Sequence, residues 1–190
     1  AEGPLANEAY TRDGTLELIV TFDFESPAVY RRNDKGEYES MQPEGLLAGL
    51  LEDLDVANMR QIQLPGEDAA DVLIVKDEFA RAFHLVNGRV EITQQFNGRS
   101  NRSKMRHASV ASLRGAESYE LVFYDETNSI LTIYGWDKEA EAFELLTHYD
   151  IEPADYQSME ALDLDGDKKD DLVLVAPDRV SVIYSRDSIG

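Results

Sequence analysis

The chain has 190 residues, 43% of them hydrophobic, which is enough for one sizeable core or a few small repeated units sharing one, and too apolar for a disordered polymer. Its 18 Lys and Arg stand against 38 Asp and Glu, a formal charge of −20. Such a surface repels nucleic acid and anionic membrane and suits divalent cations or basic partners. Cysteine is absent, which excludes disulfides and thiolate chemistry, and no run of roughly 18 apolar residues is present to insert into a membrane.

The opening AEGPLANEAY carries no initiator methionine and fits a processed exported chain or a fragment. LELIVTF (16–22) is the first of several short runs rich in branched or aromatic residues, too brief for a helix and predicted to be a buried strand. PAVYRR (27–32) alternates as a second strand, and RRNDKGEYESM (31–41) turns at Asn33–Gly36 into a third. EGLLAGLLEDLDV (44–56) places Leu47, Leu50, Leu51 and Leu54 at helical spacing, a short amphipathic helix weakened by Gly45 and Gly49; Asp53 and Asp55 read as surface acids. The pattern then starts again. MRQIQL (59–64), DVLIVKD (71–77), RAFHLV (81–86) and VNGRVEITQQF (86–96) form the next set, with Asn87-Gly88 as a two-residue hairpin signal. RHASVASL (106–113), YELVFYD (119–125), SILTIY (129–134) and a longer connection into Phe143–Thr147 form a third, and SMEALDL (158–164), DLVLVAP (171–177) and RVSVIY (179–184) a fourth.

Aligned on the acid within or leading each buried run, Glu17, Asp71, Glu120 and Asp171 are spaced 54, 49 and 51 residues apart. A unit of about four strands in roughly fifty residues matches one blade of a propeller, in which short antiparallel sheets pack radially around an axis. The predicted fold is therefore an all-β propeller, a partial or open arc of three to four repeat units within one domain, with approximate repeats at 11–57, 58–104, 105–154 and 155–190. A β-sandwich of about a dozen strands is the alternative. The fourth repeat stops after its second outward strand, so the readings are a part of a larger propeller, self-association or a complementary chain completing it, or a less regular fold.

DLDGDKKDDLVLV (163–175) leads five aspartates into an apolar run. Counting from Asp163 as the first position, Asp165, Asp167, the Lys169 carbonyl and Asp171 present oxygens at alternate positions, as a hard cation that wants six to eight oxygens requires. Gly166 lets the backbone turn between them. An EF-hand needs Gly at the sixth position and Glu at the twelfth; these are Lys168 and Leu174, and the loop enters a strand. The segment 161–175, ALDLDGDKKDDLVLV, resembles the calcium loop and first buried strand of an FG-GAP or VCBS-type repeat, the unit of integrin-α-like propellers. The resemblance implies calcium as the cofactor, held by Asp163, Asp165, Asp167, the Lys169 carbonyl and Asp171. Many such loops have Gly where this chain has Lys168. The earlier loops lack the cluster: Asp13 and Glu17, then Glu67, Asp68 and Asp71, then Glu117 and Glu120 are all that they retain.

One local basic cluster interrupts the acidic chain, NGRSNRSKMRH (97–107), with Arg99, Arg102, Lys104, Arg106 and His107. These residues are candidates for an anion or acidic-carbohydrate contact, or for ordinary salt-bridge partners of nearby acids. Trp136, in YGWDKE, is placed in a turn where it could stack on a sugar or pack on the rim. His84, His107 and His148 show no local metal or triad spacing, and His84 reads as a half-buried strand residue. The resemblance implies a calcium-stabilised module of a secreted, periplasmic or cell-surface protein, binding a protein or carbohydrate partner rather than catalysing a reaction. A polysaccharide-lyase-like or other carbohydrate-active propeller using the basic cluster is the alternative.

Overall fold

The computed structural model describes residues 6–12, 15–22, 25–41, 46–51, 58–67, 70–86 and 89–185. Asp13, Asp53, Asp55, Asp68 and the Asn87-Gly88 pair lie outside them, as does the side chain of Glu17. The described residues form an all-β protein of four antiparallel sheets, three of four strands and one of three, none closed into a barrel. The fold class expected from the repeat, with about four strands per unit, is what the structure shows. The chain divides into two compact units, Ala1–Phe96 and Asn97–Gly190.

In the first unit, β1 (Ala6–Arg12), β2 (Thr15–Phe22), β3 (Glu25–Arg32) and β4 (Tyr38–Met41) make one sheet in chain order. The sequence pattern shows no strand before Leu16, because ANEAYTR holds only Tyr10 and Thr11 of the residue types that mark one. β1 nevertheless pairs along all of β2, from Ala6 opposite Thr21 to Arg12 opposite Thr15. Of the helix predicted in 44–56, the described residues form α1 (Leu46–Leu51), with Gly45 and Leu54 outside them. A second sheet follows from β5 (Met59–Ile62), β6 (Asp71–Lys76), β7 (Phe79–Val86) and β8 (Arg89–Asn97). Ile19 and Val29 of the first sheet, Leu50 and Leu51 of α1, and Met59, Val72, Ile74 and Phe83 of the second share one core. β6 is buried along five of its six residues, so its sequence is a continuous apolar run rather than an alternating one.

The second unit repeats the plan. β9 (Met105–Ala111), β10 (Glu120–Asp125), β11 (Ile130–Asp137) and β12 (Ala142–Asp150) form a four-stranded sheet, and β13 (Ser158–Leu162), β14 (Asp171–Ala176) and β15 (Arg179–Ile183) a three-stranded one. Val122, Tyr124, Leu131 and Ile133 from the first pack against Met159, Leu172, Leu174 and Ala176 from the second. Two rings tie the polar ends of this layer. The Tyr124 hydroxyl donates to the Ala154 carbonyl at 2.9 Å, and its ring meets Tyr156 edge-on. Burial, followed by nearby Glu126, pushes the Tyr124 phenol up to about 12. On the opposite face of β14, Val175 is exposed, and its cross-strand neighbour Val180 on β15 is exposed too.

Candidate metal centre

Three sheets begin their buried strand with an acid, and each acid is almost wholly withdrawn from solvent: Asp71 is 2% exposed, Glu120 0% and Asp171 1%. A buried carboxylate is costly unless it is hydrogen-bonded and its charge is met. Each sheet meets that requirement differently.

Asp71 lies against the two strands that follow it. His84 Nδ1 stands 3.1 Å from Asp71 Oδ1, the Thr93 hydroxyl donates to Asp71 Oδ2, and the other ring nitrogen of His84 stands 3.1 Å from Glu91 Oε2. His84 is therefore a buried partner of the repeated acid rather than a half-buried strand residue.

Glu120 is met by its own loop. The Leu113 amide donates to Glu120 Oε2 at 2.8 Å, the Ser118 hydroxyl to the same oxygen at 2.7 Å, and Arg114 Nε to Oε1 at 2.7 Å. Gly135, opposite Glu120 in the register, makes room for this. A Cβ there would stand 2.8 Å from Arg114 Nη2 and 2.7 Å from Leu146 Cδ1.

Asp171 keeps the backbone half of that arrangement and loses the cationic half. The Leu164 amide donates to Asp171 Oδ2 at 3.1 Å, from the same distance back in the chain as Leu113 from Glu120. The Ser185 amide donates to Asp171 Oδ1 at 3.0 Å. Among the described residues no Lys, Arg or His pairs with Asp171. The next residue after the donating amide is Arg114 in one loop and Asp165 in the other, so the position that supplies a positive charge to Glu120 brings a further negative one to Asp171.

The remainder of the 163–170 loop is wound on its own side chains. Asp163 accepts the amides of Gly166 (2.7 Å) and Lys168 (3.0 Å), Asp165 accepts that of Asp167 (3.2 Å), and Asp167 accepts that of Lys169 (2.9 Å). Gly166 turns at φ 82 and Lys168 at φ 69. Lys168 thus adopts the left-handed conformation that glycine takes more readily. One carboxylate oxygen each from Asp163, Asp165 and Asp171 lies within 4.8 Å of the others. Oxygens on opposite sides of a calcium ion, at about 2.3–2.6 Å each, stand roughly 4.6–5.2 Å apart, so these three fit around one divalent cation. Of the residues predicted as ligands, Asp163, Asp165 and Asp171 are brought together. Asp167 stands outside the group of three, and Lys169 is half-buried beside it.

Asp170, not predicted to have a role, fastens the loop to the adjacent sheet. The Ser112 amide donates to Asp170 Oδ2 at 2.7 Å, and the Asp170 amide donates back to the Ser112 carbonyl at 3.1 Å. Its role hides in the sequence because it falls off the alternate ligand positions and its partner, Ser112, is 58 residues away.

The basic cluster disperses. Lys104 and Arg106 both reach Glu126, at 3.7 and 2.9 Å, and the Arg106 hydrogen bond holds the Glu126 carboxyl below the usual range. His107 is buried, its Nε2 2.6 Å from the Tyr156 carbonyl and its ring stacked on Tyr124. Arg99 and Arg102 are exposed. Trp136 sits near the end of β11 rather than in a turn, half-buried and edge-on to Phe143 at 5.1 Å.

Fold and site together define an all-β protein of repeated antiparallel sheets with, among the described residues, one surface acidic cluster that could hold a divalent cation. No family model matches the chain, and no curated protein matches it. Among solved structures it is similar to a mutant of the Aleuria aurantia lectin AAL in complex with Fucalpha1-6GlcNAc (10% identity over 90% of this chain, TM-score 0.46). It is also similar to the periplasmic gluconolactonase PpgL of Pseudomonas aeruginosa (11% over 93%, TM-score 0.49) and to a protein from Lactobacillus plantarum (14% over 88%, TM-score 0.42). The chain spans about half the length of each, 55%, 49% and 53% respectively. No helix among the described residues is long and apolar enough to cross a membrane.

Proposed function

We propose that this chain is a calcium-stabilised β-propeller module of the FG-GAP/VCBS type, used by a secreted, periplasmic or cell-surface protein to bind a protein or carbohydrate partner. The observation that carries the cation is the contrast between the two loops of the second unit. Glu120 receives a guanidinium, whereas Asp171, equally buried, receives two further carboxylates within 4.8 Å. An oxygen-only ligand set favours a hard ion, and a loop with several carboxylates and carbonyls suits the six to eight oxygens that calcium takes better than magnesium, which keeps several waters. Asp163, Asp165 and Asp171 would hold it, with Asp167 and the Lys169 carbonyl closing the loop around them. The ion's work is structural: it offsets charge where the loop enters β14, and binding to the folded chain alone stabilises it by linkage.

The carbohydrate-active alternative has less support, because Lys104 and Arg106 are spent on Glu126 and His107 on the interior. Titration calorimetry with calcium, paired with thermal melts in calcium and in chelator, tests the proposal. One bound ion per chain and a higher Tm are expected, and a flat titration overturns the cation assignment.

A further inference from the structure

Ser185 follows β15 and is 2% exposed. Its amide is satisfied by Asp171 Oδ1 at 3.0 Å, yet its hydroxyl oxygen is buried with no hydrogen-bond partner among the described residues. A buried hydroxyl left without a partner is costly, and a water or an ion outside the chain is one way in which such a group is satisfied. This one belongs to the residue whose backbone touches the innermost carboxylate of the acidic loop. A serine hydroxyl offers two lone pairs and no charge, the kind of hard neutral oxygen that a calcium ion needs once three carboxylates have met its charge.

We propose that Ser185 Oγ is a further oxygen of the cation site at Asp171, so that occupancy fastens the segment after β15 to the β13–β14 loop. The proposal rests on the cation reading above and adds a residue to it. Two stretches then meet at one ion: the loop from Asp163 through Asp171 at the start of β14, and Ser185 after β15. The loop is in turn held to the β9–β10 connection by Asp170 and Ser112, so the ion's influence reaches the adjacent sheet of the same unit.

The test is calcium titration calorimetry on the wild-type chain, Ser185→Ala and Ser185→Thr, with Tm measured in chelator for each. Ser185→Ala is expected to weaken calcium binding about tenfold while its Tm in chelator stays the same or rises, since the alanine removes an unpaired polar group. Ser185→Thr, which keeps the hydroxyl, is expected to retain most of the affinity. Equal calcium affinity in wild type and Ser185→Ala overturns the assignment of Ser185 and leaves the cation site standing. No calcium binding by the wild type overturns both. Amide hydrogen exchange on the wild type gives a readout free of mutation: calcium is expected to slow exchange at Ser185 as well as Leu164, and unchanged exchange at Ser185 overturns the fastening.

Discussion

The β9–β10 and β13–β14 connections are two versions of one device. In each, a buried acid opens the central strand and takes the amide of the residue seven positions earlier, Leu113 to Glu120 and Leu164 to Asp171. They part at the following residue. Arg114 reaches Glu120 Oε1 at 2.7 Å, whereas Asp165 joins Asp163 and Asp171. The first loop carries its own countercharge; on the proposed reading the second draws one from solution, which would make one junction constitutive and the other responsive to its medium.

The sharpest way to break that contrast is to exchange the odd residue. Asp165→Arg should give the second loop an internal cation like the first. At a calcium concentration a hundredfold above Kd the wild type should gain about 2.7 kcal/mol, and Asp165→Arg should lose that gain while melting at or above the wild type in chelator. Asp165→Asn removes the ligand charge without supplying a cation, so it should also lose most of the gain but show no improvement in chelator. A variant that still answers fully to calcium would mean that Asp165 is not a ligand. Asp167→Asn, outside the group of three, should cost distinctly less affinity.

The converse change acts on the other loop. Arg114→Ala leaves Glu120 fully buried with only Leu113 and Ser118 as donors. Charge-assisted hydrogen bonds contribute about 1.5–3 kcal/mol. Arg114 is 44% exposed, so solvent screening puts the loss toward the low end, roughly 1.5 kcal/mol in urea unfolding. Glu120→Gln together with Arg114→Ala should be less damaging than Arg114→Ala alone, because the unpaired charge has gone. Asp170→Ala, which frees the Ser112 amide, should cost about 1 kcal/mol and lower the calcium gain only slightly.

Much of this could be read before any coordinates. β6 and β10 are enclosed on both faces, and enclosure writes itself as an unbroken apolar run with an acid in front; β14 carries the same run although Val175 on its second face is exposed, so the positions and the period of all three were plain. The aspartate loop was plain as well, since alternate carboxylates have few other uses. The division of labour among those aspartates was not, because Asp163, Asp165, Asp167, Asp170 and Asp171 are chemically alike and only the backbone amides they accept tell them apart. β1 was hidden by ANEAYTR, whose strand character comes from its pairing with β2 rather than from its own residues. The partnership of Asp71 with His84, Thr93 and Glu91 joins three strands, and no local spacing encodes such a contact. Ser185 carried no signal at all, being one serine near the end of the chain.

The smallest effect contrasts the turn after β10 with the aspartate loop in their response to acid. Asp125, at the end of β10, is pushed up by burial, but hydrogen bonds from the Asn128 side chain, the Lys104 amide, Ser103 and the Asn128 amide outweigh this and leave its carboxyl below the usual range. A depressed folded-state pKa means that the unfolded chain binds the proton first. The stabilisation is therefore complete above the ordinary carboxylate value of about 4 and is lost as pH falls through the folded-state value. Asn128→Ala removes a 2.7 Å bond to Asp125 Oδ2 and should cost about 1 kcal/mol at pH 7, with the gap to wild type narrowing as pH falls through the depressed folded-state value and Asp125 protonates. Calcium at the aspartate loop should fade in acid too, because its ligands must be deprotonated, but raising the calcium concentration should restore it at a given pH. Asp125 has no such remedy, since its donors belong to the chain. Urea unfolding of wild type and Asn128→Ala across pH 3–7, with calcium and with chelator, checks both statements. A gap that stays constant with pH would mean that Asn128 acts through packing and not through the Asp125 charge.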